Sequence, residues 1–437
     1  MLKRKALDAM KSWKANKTHQ ALLVTGGRQV GKTFLIRDFG RQNYGHFVEI
    51  NLLENTAART ALAGARDSAD LLARLSVFAN APLVPRETLV FLDEIQECPE
   101  VVTAIKFLVE RGDYDYVLSG SLLGVELKNI RSAPVGFMST LKMYPLDFEE
   151  YCWANGIPEA AFDTVRTCFD EKTPVPDYLH DRLDRLYHEY LVCGGMPDAV
   201  RSYVDNRNLQ QVRLVQGGIV ELYRTDISKY APASDTRTIK RIYDLIPSEL
   251  AQQNKRFKLN AIEGTSRISR YENDFLWLAD ALVAIPVYNV DEPRYPLMLS
   301  MTSNLFKLFS SDVGLLTYQC GMDVVRDLYA DRRDINYGAL YENAVAQELV
   351  AHGLTPYYFK NKQLGELDFV IEWPPTHVLP IEVKSGKSYK RHNALSNVLE
   401  VSNYNIGQAA VLYEGNVETS GAVTYYPIYM AGCLHRE

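Results

Sequence analysis

Several groups of residues have types and spacings suited to chemistry. Gly26-Gly27-Arg28-Gln29-Val30-Gly31-Lys32-Thr33 fits the pattern GxxxxGK[ST] and directly follows the apolar run Ala21-Leu22-Leu23-Val24. Glycines at such positions let backbone N–H groups curl round phosphates, a lysine reaches the β and γ phosphates, and a hydroxyl can hold Mg²⁺. All eight residues are therefore expected to bind a nucleoside triphosphate. Thr88-Leu89-Val90-Phe91-Leu92-Asp93-Glu94 is a second apolar run ending in two carboxylates. Asp93 is expected to hold Mg²⁺ together with Thr33, and Glu94 to orient and polarise the attacking water. Far along the chain, Asp368 is followed by Glu382-x-Lys384, with Glu342 earlier on an amphipathic stretch. Carboxylates at Glu342, Asp368 and Glu382 can hold a second Mg²⁺, which makes hydroxide available near neutral pH. Lys384 can position that water or steady the charge on a phosphate.

These residues need elements to hold them. From Ala21 to Glu149 apolar runs alternate with helical patterns: 21–25, 47–51, 88–93, 116–119 and 139–144. That rhythm predicts a parallel sheet covered by helices. Residues 151–232 show no strand pattern and are expected to form a helical lid, with Pro174 and Pro176 in a linker inside it. In 233–330, Ile239, Ile242, Tyr243 and Ile246 share one helical face before Pro247, where the helix kinks or restarts. A turn at Gly264-Thr265-Ser266, a helix from about Arg270 to Leu282 and an extended 283–290 complete a winged-helix-like pattern. Lys255, Arg256, Lys258, Arg267 and Arg270 flank its second helix, as in modules that read DNA. A winged helix used only to pack domains fits the same pattern.

In 331–437 the order is a helix over 336–351 carrying Glu342, a strand at 357–360, a strand carrying Asp368, and a strand carrying Glu382 and Lys384. The period of two puts Glu382 and Lys384 on one strand face. This D…ExK pattern resembles the PD-(D/E)xK nuclease superfamily. It is equally compatible with a nuclease-like fold that binds without cutting. The fold class expected is thus α/β throughout: a P-loop parallel-sheet domain (1–150), a helical region, a winged-helix-like module and a nuclease-like α/β domain.

The chain has 437 residues, which is long enough for several cores. Hydrophobic content of 47% with 23% charge marks a globular protein, without an apolar stretch long enough for a membrane span. The basic amino terminus has no apolar core behind it, so a cytoplasmic location is expected. Six scattered cysteines without CxxC spacing argue against structural zinc. His180 and His188 suit packing, and Cys193 a buried structural role. Net charge is −6, but residues 1–48 carry ten Lys/Arg against two acids and residues 236–270 eight against three. Either basic stretch can serve a nucleic acid or be a solvated face.

Taken together, the chain resembles prokaryotic AAA-type ATPases of the STAND-like group that carry a carboxyl-terminal domain of unknown function with a nuclease-like end. The matching words begin with 27–33, Leu92-Asp93-Glu94-Ile95-Gln96, Leu118-Ser119-Gly120-Ser121, Tyr144-Pro145-Leu146-Asp147-Phe148-Glu149-Glu150 and Cys193-Gly194-Gly195-Met196-Pro197. They continue with Tyr223-Arg224-Thr225-Asp226-Ile227, Asn254-Lys255-Arg256-Phe257, Asp312-Val313-Gly314-Leu315-Leu316, Tyr341-Glu342-Asn343 and Glu366-Leu367-Asp368-Phe369. The resemblance implies ATP and Mg²⁺ as cofactors, hydrolysis supported by Asp93 and Glu94, and a polar sensor at Ser119 or Ser121. After Pro134-Val135-Gly136 the family carries a basic residue where this chain has Phe137; Arg131 or a neighbouring protomer can supply the missing charge. The expected function is an ATP-hydrolysing switch controlling a DNA-binding and DNA-cutting carboxyl-terminal half. The alternative is a nucleotide-gated regulator or scaffold with a silent nuclease-like domain, working through protein partners or self-association. A nuclease for which ATP is only a structural ligand completes the set.

Overall fold

A computed structural model describes residues 2–16, 19–120, 136–252, 255–257, 271–329, 337–386 and 388–434. The chain divides into two compact units: Arg4–Tyr144 with Asp280–Leu282, and Met1–Lys3 with Pro145–Ala279 and Val283–Glu437. Among the described residues, no helix is long and apolar enough to cross a membrane.

The first of these units holds β1 (Ala21–Gly26), β2 (His46–Asn51), β3 (Thr88–Asp93), β4 (Asp115–Gly120) and β5 (Met138–Met143) in one sheet of order β2-β3-β4-β1-β5. Every pairing is parallel. A sheet covered on both faces needs strands apolar on both sides, and β3 is buried along its whole length. Its helices are α1 (Ala6–Asn16), α2 (Lys32–Asn43), α3 (Thr56–Ala63), α4 (Ser68–Phe78) and α5 (Pro99–Arg111). Helix α5 starts on a proline, ends at Gly112 with φ 67°, and turns Val102, Ile105, Leu108 and Val109 into the core. Those side chains meet Val48, Ile50, Leu92 and Leu118. Strand β1 lies between β4 and β5, and the loop that follows it stands at the carboxyl end of the sheet, where α/β folds bind ligands.

The second unit opens with helices α6 (Phe148–Ala154), α7 (Glu159–Glu171), α8 (Asp177–Cys193), α9 (Pro197–Asn206), α10 (Leu209–Tyr230), α11 (Thr236–Leu250) and α12 (Glu272–Asp280). Helix α11 runs through Pro247 without a break and buries Ile239, Ile242, Tyr243, Ile246 and Leu250. The turn at 264–266 and the cations Lys258, Arg267 and Arg270 lie outside the described residues. Strands β6 (Ala284–Val290) and β7 (Met301–Ser310) follow, then α13 (Val313–Cys320), α14 (Met322–Tyr329) and α15 (Gly338–Ala351). The chain closes with β8 (Tyr357–Asn361), β9 (Gly365–Trp373), β10 (His377–Val383), α16 (Asn393–Leu399), β11 (Ala409–Tyr413), β12 (Glu418–Ser420) and β13 (Val423–Pro427). All eight strands share one sheet, ordered β12-β13-β11-β10-β9-β8-β6-β7. Strands β8, β9 and β10 pair antiparallel in sequence, and β11 returns parallel to β10 after α16. Strand β6 lies parallel beside β8, so this sheet runs across residue 330 and joins the segment read as winged-helix-like to the carboxyl-terminal strands.

A tight junction fixes the helices to the sheet. Asp312 is fully buried, caps α13 by accepting from Leu315 N at 2.9 Å, and accepts from Gly195 N at 2.7 Å. Gly194, with φ 70°, has no room for a side chain: a Cβ there would stand 2.2 Å from Asp312 Oδ1. Gly194→Ala combines a left-handed conformation with a clash, so a loss of about 3 kcal/mol or more is expected in chemical denaturation.

Candidate functional site

The phosphate loop is built by backbone geometry first. Gln29 and Gly31 take φ values of 65° and 92°, which turn the chain sharply before α2 begins at Lys32. Leu35 N then donates to Gly31 O at 3.0 Å, the first turn of the helix. Gly26, at the end of β1, sits so close to β5 that a Cβ would lie 2.5 Å from Met143 O. Val30 is buried, and its carbonyl accepts from Arg4 Nη1 at 2.9 Å while Arg4 Nη2 donates to Tyr144 O at 2.7 Å. Arg4 thus ties the loop to the end of β5. The sequence showed Arg4 only as part of a basic stretch.

Lys32 folds its ammonium back onto the loop, donating to Gly26 O at 2.9 Å and Gly27 O at 2.8 Å. Burial pushes its pKa down to about 8, against the pull of Glu94 and Asp93. Thr33 Oγ1 donates to Asp93 Oδ2 at 3.1 Å, and Ser119 Oγ donates to Asp93 Oδ1. The end of β3 therefore meets both the loop and the end of β4, which brings Thr33, Asp93 and Ser119 together. Burial raises the Asp93 pKa, opposed by the hydrogen bond from Ser119. Glu94, with φ 53°, accepts from Gln96 Nε2 at 2.5 Å. Ser121 and Arg131 lie outside the described residues. Phe137 packs against the core of its own unit.

A lysine lowered to about 8 has lost part of its charge above that pH, and bound phosphates restore it. Nucleotide binding is therefore expected to take up protons increasingly as pH rises above about 8, approaching about one proton per site. Calorimetry in buffers of different ionisation enthalpy reads this directly; uptake independent of pH between 7 and 9 would contradict it.

The second unit holds the other cluster. Glu342 on α15, Asp368 on β9 and Lys384 just after β10 line one cavity of about 360 Å³, together with Lys255 and Tyr389. Val383 N donates to Asp368 Oδ2 at 2.9 Å, which locks the carboxylate across the hairpin. Glu382 is buried, and its Oε2 accepts from Lys384 Nζ at 2.6 Å. The alternation of β10 thus puts Glu382 and Lys384 together, with Glu382 joined to the cavity through Lys384. Burial and then the Asp368 charge push up the pKa values of both Glu342 and Glu382. Glu342 Oε2 is buried and accepts no hydrogen bond among the described residues. A buried acceptor without a donor, on a residue that lines the cavity beside Asp368, fits a cation.

Two lysines absent from the expected motif also reach this cluster. Lys255 pairs with Glu342 Oε1, and Lys307 on β7 stands 3.0 Å from Glu366 Oε1. Elsewhere, Asp147, Glu348 and His352 converge. There Glu150 N donates to Asp147 Oδ1 at 2.8 Å and Phe148 N to Glu348 Oε1 at 2.7 Å, which caps α6. His180 and His188 hydrogen-bond to the hydroxyls of Tyr429 and Tyr341 at 2.8 and 2.9 Å, and Cys193 is a buried free thiol.

Residues 18–152 match an AAA domain family. Residues 184–325 and 337–430 match two domains of unknown function, DUF8612 and DUF4143. No curated protein matches the chain. Among solved structures, a Walker-type ATPase of Pyrococcus abyssi is 15% identical with a TM-score of 0.42, over 73% of this chain and 96% of that one. The Thermotoga maritima RuvB Holliday junction branch migration motor is 13% identical with a TM-score of 0.30, over 70% of this chain and 92% of that one. The Hsp104–ADP complex of S. cerevisiae is 13% identical with a TM-score of 0.28, over 63% of this chain and only 38% of that one. The family match and the geometry of Lys32, Thr33 and Asp93 agree: the amino-terminal part of this chain is a P-loop ATPase-like domain, similar to the AAA domain family over residues 18–152.

Proposed function

We propose that the protein is a Mg²⁺-dependent ATP hydrolase whose nucleotide state controls a DNA-binding, DNA-cleaving carboxyl-terminal half. The observation that carries the second part is the convergence of Glu342, Asp368 and Lys384 on one cavity, with Glu382 held against Lys384. In the ATPase domain, residues 26–33 bind the phosphates, Lys32 neutralises their charge, and Thr33 with Asp93 holds Mg²⁺. Glu94 orients the attacking water and Ser119 fixes Asp93. In the carboxyl-terminal half, Glu342, Asp368 and Glu382 would hold a divalent ion, which supplies hydroxide near neutral pH and charge stabilisation at a phosphate. Lys384 positions the water. A winged-helix-like arrangement of α11, α12 and β6, with Lys255 and Arg256 between the helices, is the DNA-binding element of this reading, and the location is cytoplasmic.

A second reading has its own support. Lys255 and Lys307 already neutralise acids of the cluster, as in a silent nuclease-like fold serving a nucleotide-gated regulator that recruits protein partners or its own copies. Incubation of supercoiled and linear DNA with Mg²⁺, with and without ATP, separates the two. Nicking by wild type that responds to ATP supports the proposal. No cleavage under any nucleotide condition, with protein partners recovered instead, favours the regulator, and cleavage indifferent to Lys32→Ala leaves ATP a structural ligand.

A further inference from the structure

Four carboxylates and four lysines stand in and beside this cavity; Glu342, Glu366 and Glu382 pair with lysines, and Asp368 accepts from Val383 N. The acids are Glu342, Glu366, Asp368 and Glu382; the cations are Lys255, Lys307, Lys360 and Lys384. Four of each cancel in formal charge, so a divalent ion added on top would leave two uncompensated positive charges in a buried place, whereas exchange for one lysine leaves one and costs less. A cation must then enter by exchange, and the lysines differ in how easily they can leave.

Lys307 cannot leave. It sits within β7, paired opposite Val287 of β6, with its side chain 1% exposed. Its ammonium lies 3.0 Å from Glu366 Oε1, 3.9 Å from Glu342 Oε2 and 5.1 Å from the centre of the Tyr358 ring. Lys384 is fixed by the end of β10, where its backbone N–H donates to Leu412 O at 2.9 Å. Lys360 pairs with Glu366 outside the cavity lining. Lys255 is different: it stands outside any helix or strand, two residues before Phe257, whose N–H donates to Phe306 O at 3.0 Å. The ammonium at the end of its long side chain is therefore what can move; that side chain is 19% exposed and lines the cavity. Its partner Glu342 is also the residue with a buried oxygen, Oε2, that accepts no hydrogen bond among the described residues.

We propose that Lys255 and Lys307 set what this site binds: a single divalent cation, admitted in exchange for the Lys255 ammonium at Glu342, with Lys307 remaining as the fixed second positive charge. Oxygen ligands from carboxylates select a hard cation of the Mg²⁺ or Mn²⁺ class. The inference rests on the reading of this cavity as a divalent-metal site. Lys255 acts on the metal through Glu342, so it is a positioning residue and its effect falls on affinity.

Mn²⁺ titrated into the full chain, followed by calorimetry and by the electron paramagnetic resonance of free Mn²⁺, tests it. Expected are one ion at this site in wild type, counted as the difference from Asp368→Asn, and that ion bound about tenfold or more tightly by Lys255→Met. Two ions at this site in wild type overturn the proposal, as does an affinity that is unchanged or weaker in Lys255→Met. Lys255→Met leaves Glu342 buried without its partner, so its thermal transition is expected to fall without metal and to be restored by Mn²⁺, and Lys307→Met serves as a second variant, expected to gain a second ion at this site. No Mn²⁺ at this site in wild type or Lys255→Met would remove the metal-site reading itself, whereas one ion with equal affinity in both would remove only the exchange.

Discussion

Lys32→Ala is expected to abolish ATP turnover, with a fall of at least about 10²–10³-fold, the scale for losing one preorganised charge-stabilising donor. Lys32 is buried, and its ammonium is held by carbonyls of the loop it serves, Gly26 O and Gly27 O. It is thus aimed at the space the loop encloses before any phosphate arrives, and its transfer from carbonyl to phosphate is a short local movement. Alanine removes that charge and its two bonds to Gly26 O and Gly27 O but leaves the others that shape the loop, Arg4 to Val30 O and Leu35 N to Gly31 O. The fold should therefore persist, with a stability change of about 1 kcal/mol, while turnover is lost. Phosphate release measured beside a thermal melt checks both halves. Normal turnover in a folded variant would mean that hydrolysis, if present, is not carried by this loop.

The strands of the ATPase domain were legible because a parallel sheet demands continuous apolar runs, and β1 and β3 supply them next to the loop and the acid pair. Asp368, Glu382 and Lys384 were legible from the alternation of β9 and β10, which the hairpin pairing reproduces, Ile381 opposite Phe369. Strand β7 was not. Its first half, from Met301, is largely exposed, and its buried half carries Lys307, a charge that breaks the apolar pattern. That residue is tolerated only because Glu366 and Glu342, distant in sequence, meet it in the sheet. Arg4 was invisible for a related reason: its partners are backbone carbonyls at Val30 and Tyr144, and no side-chain pattern encodes a carbonyl. Pairings between remote segments create both sites, and local periodicity carries no information about them.

Asp368→Asn should eliminate metal-dependent DNA nicking, by about 10³-fold or more, while making the protein more stable. Asparagine keeps an oxygen for the hydrogen bond from Val383 N, so the hairpin is preserved, but it removes a carboxylate from the proposed ligand set. The stability gain follows from charge. After burial itself, the Asp368 charge is the largest influence raising the pKa of both Glu342 and Glu382. A carboxyl whose folded-state pKa lies above its unfolded value costs stability once pH rises past the unfolded value, and the cost grows up to the folded one. Without Asp368 that repulsion disappears, and its attraction for Lys307 and Lys384 goes with it; because those lysines stay paired with Glu366 and Glu382, the Asn variant should still gain most at neutral to alkaline pH and little near pH 4. Lys384→Ala should match it in lost nicking but not in stability, because it leaves Glu382 buried without its 2.6 Å partner. Nicking assays and thermal melts from pH 4 to 9 separate the cases. A residue kept for structure would lose stability on replacement; one kept for chemistry pays for its place in the fold and releases that cost when it is neutralised. Wild-type nicking in Asp368→Asn, or a melt lowered at every pH, would show that the cluster serves the fold and that any cleavage arises elsewhere.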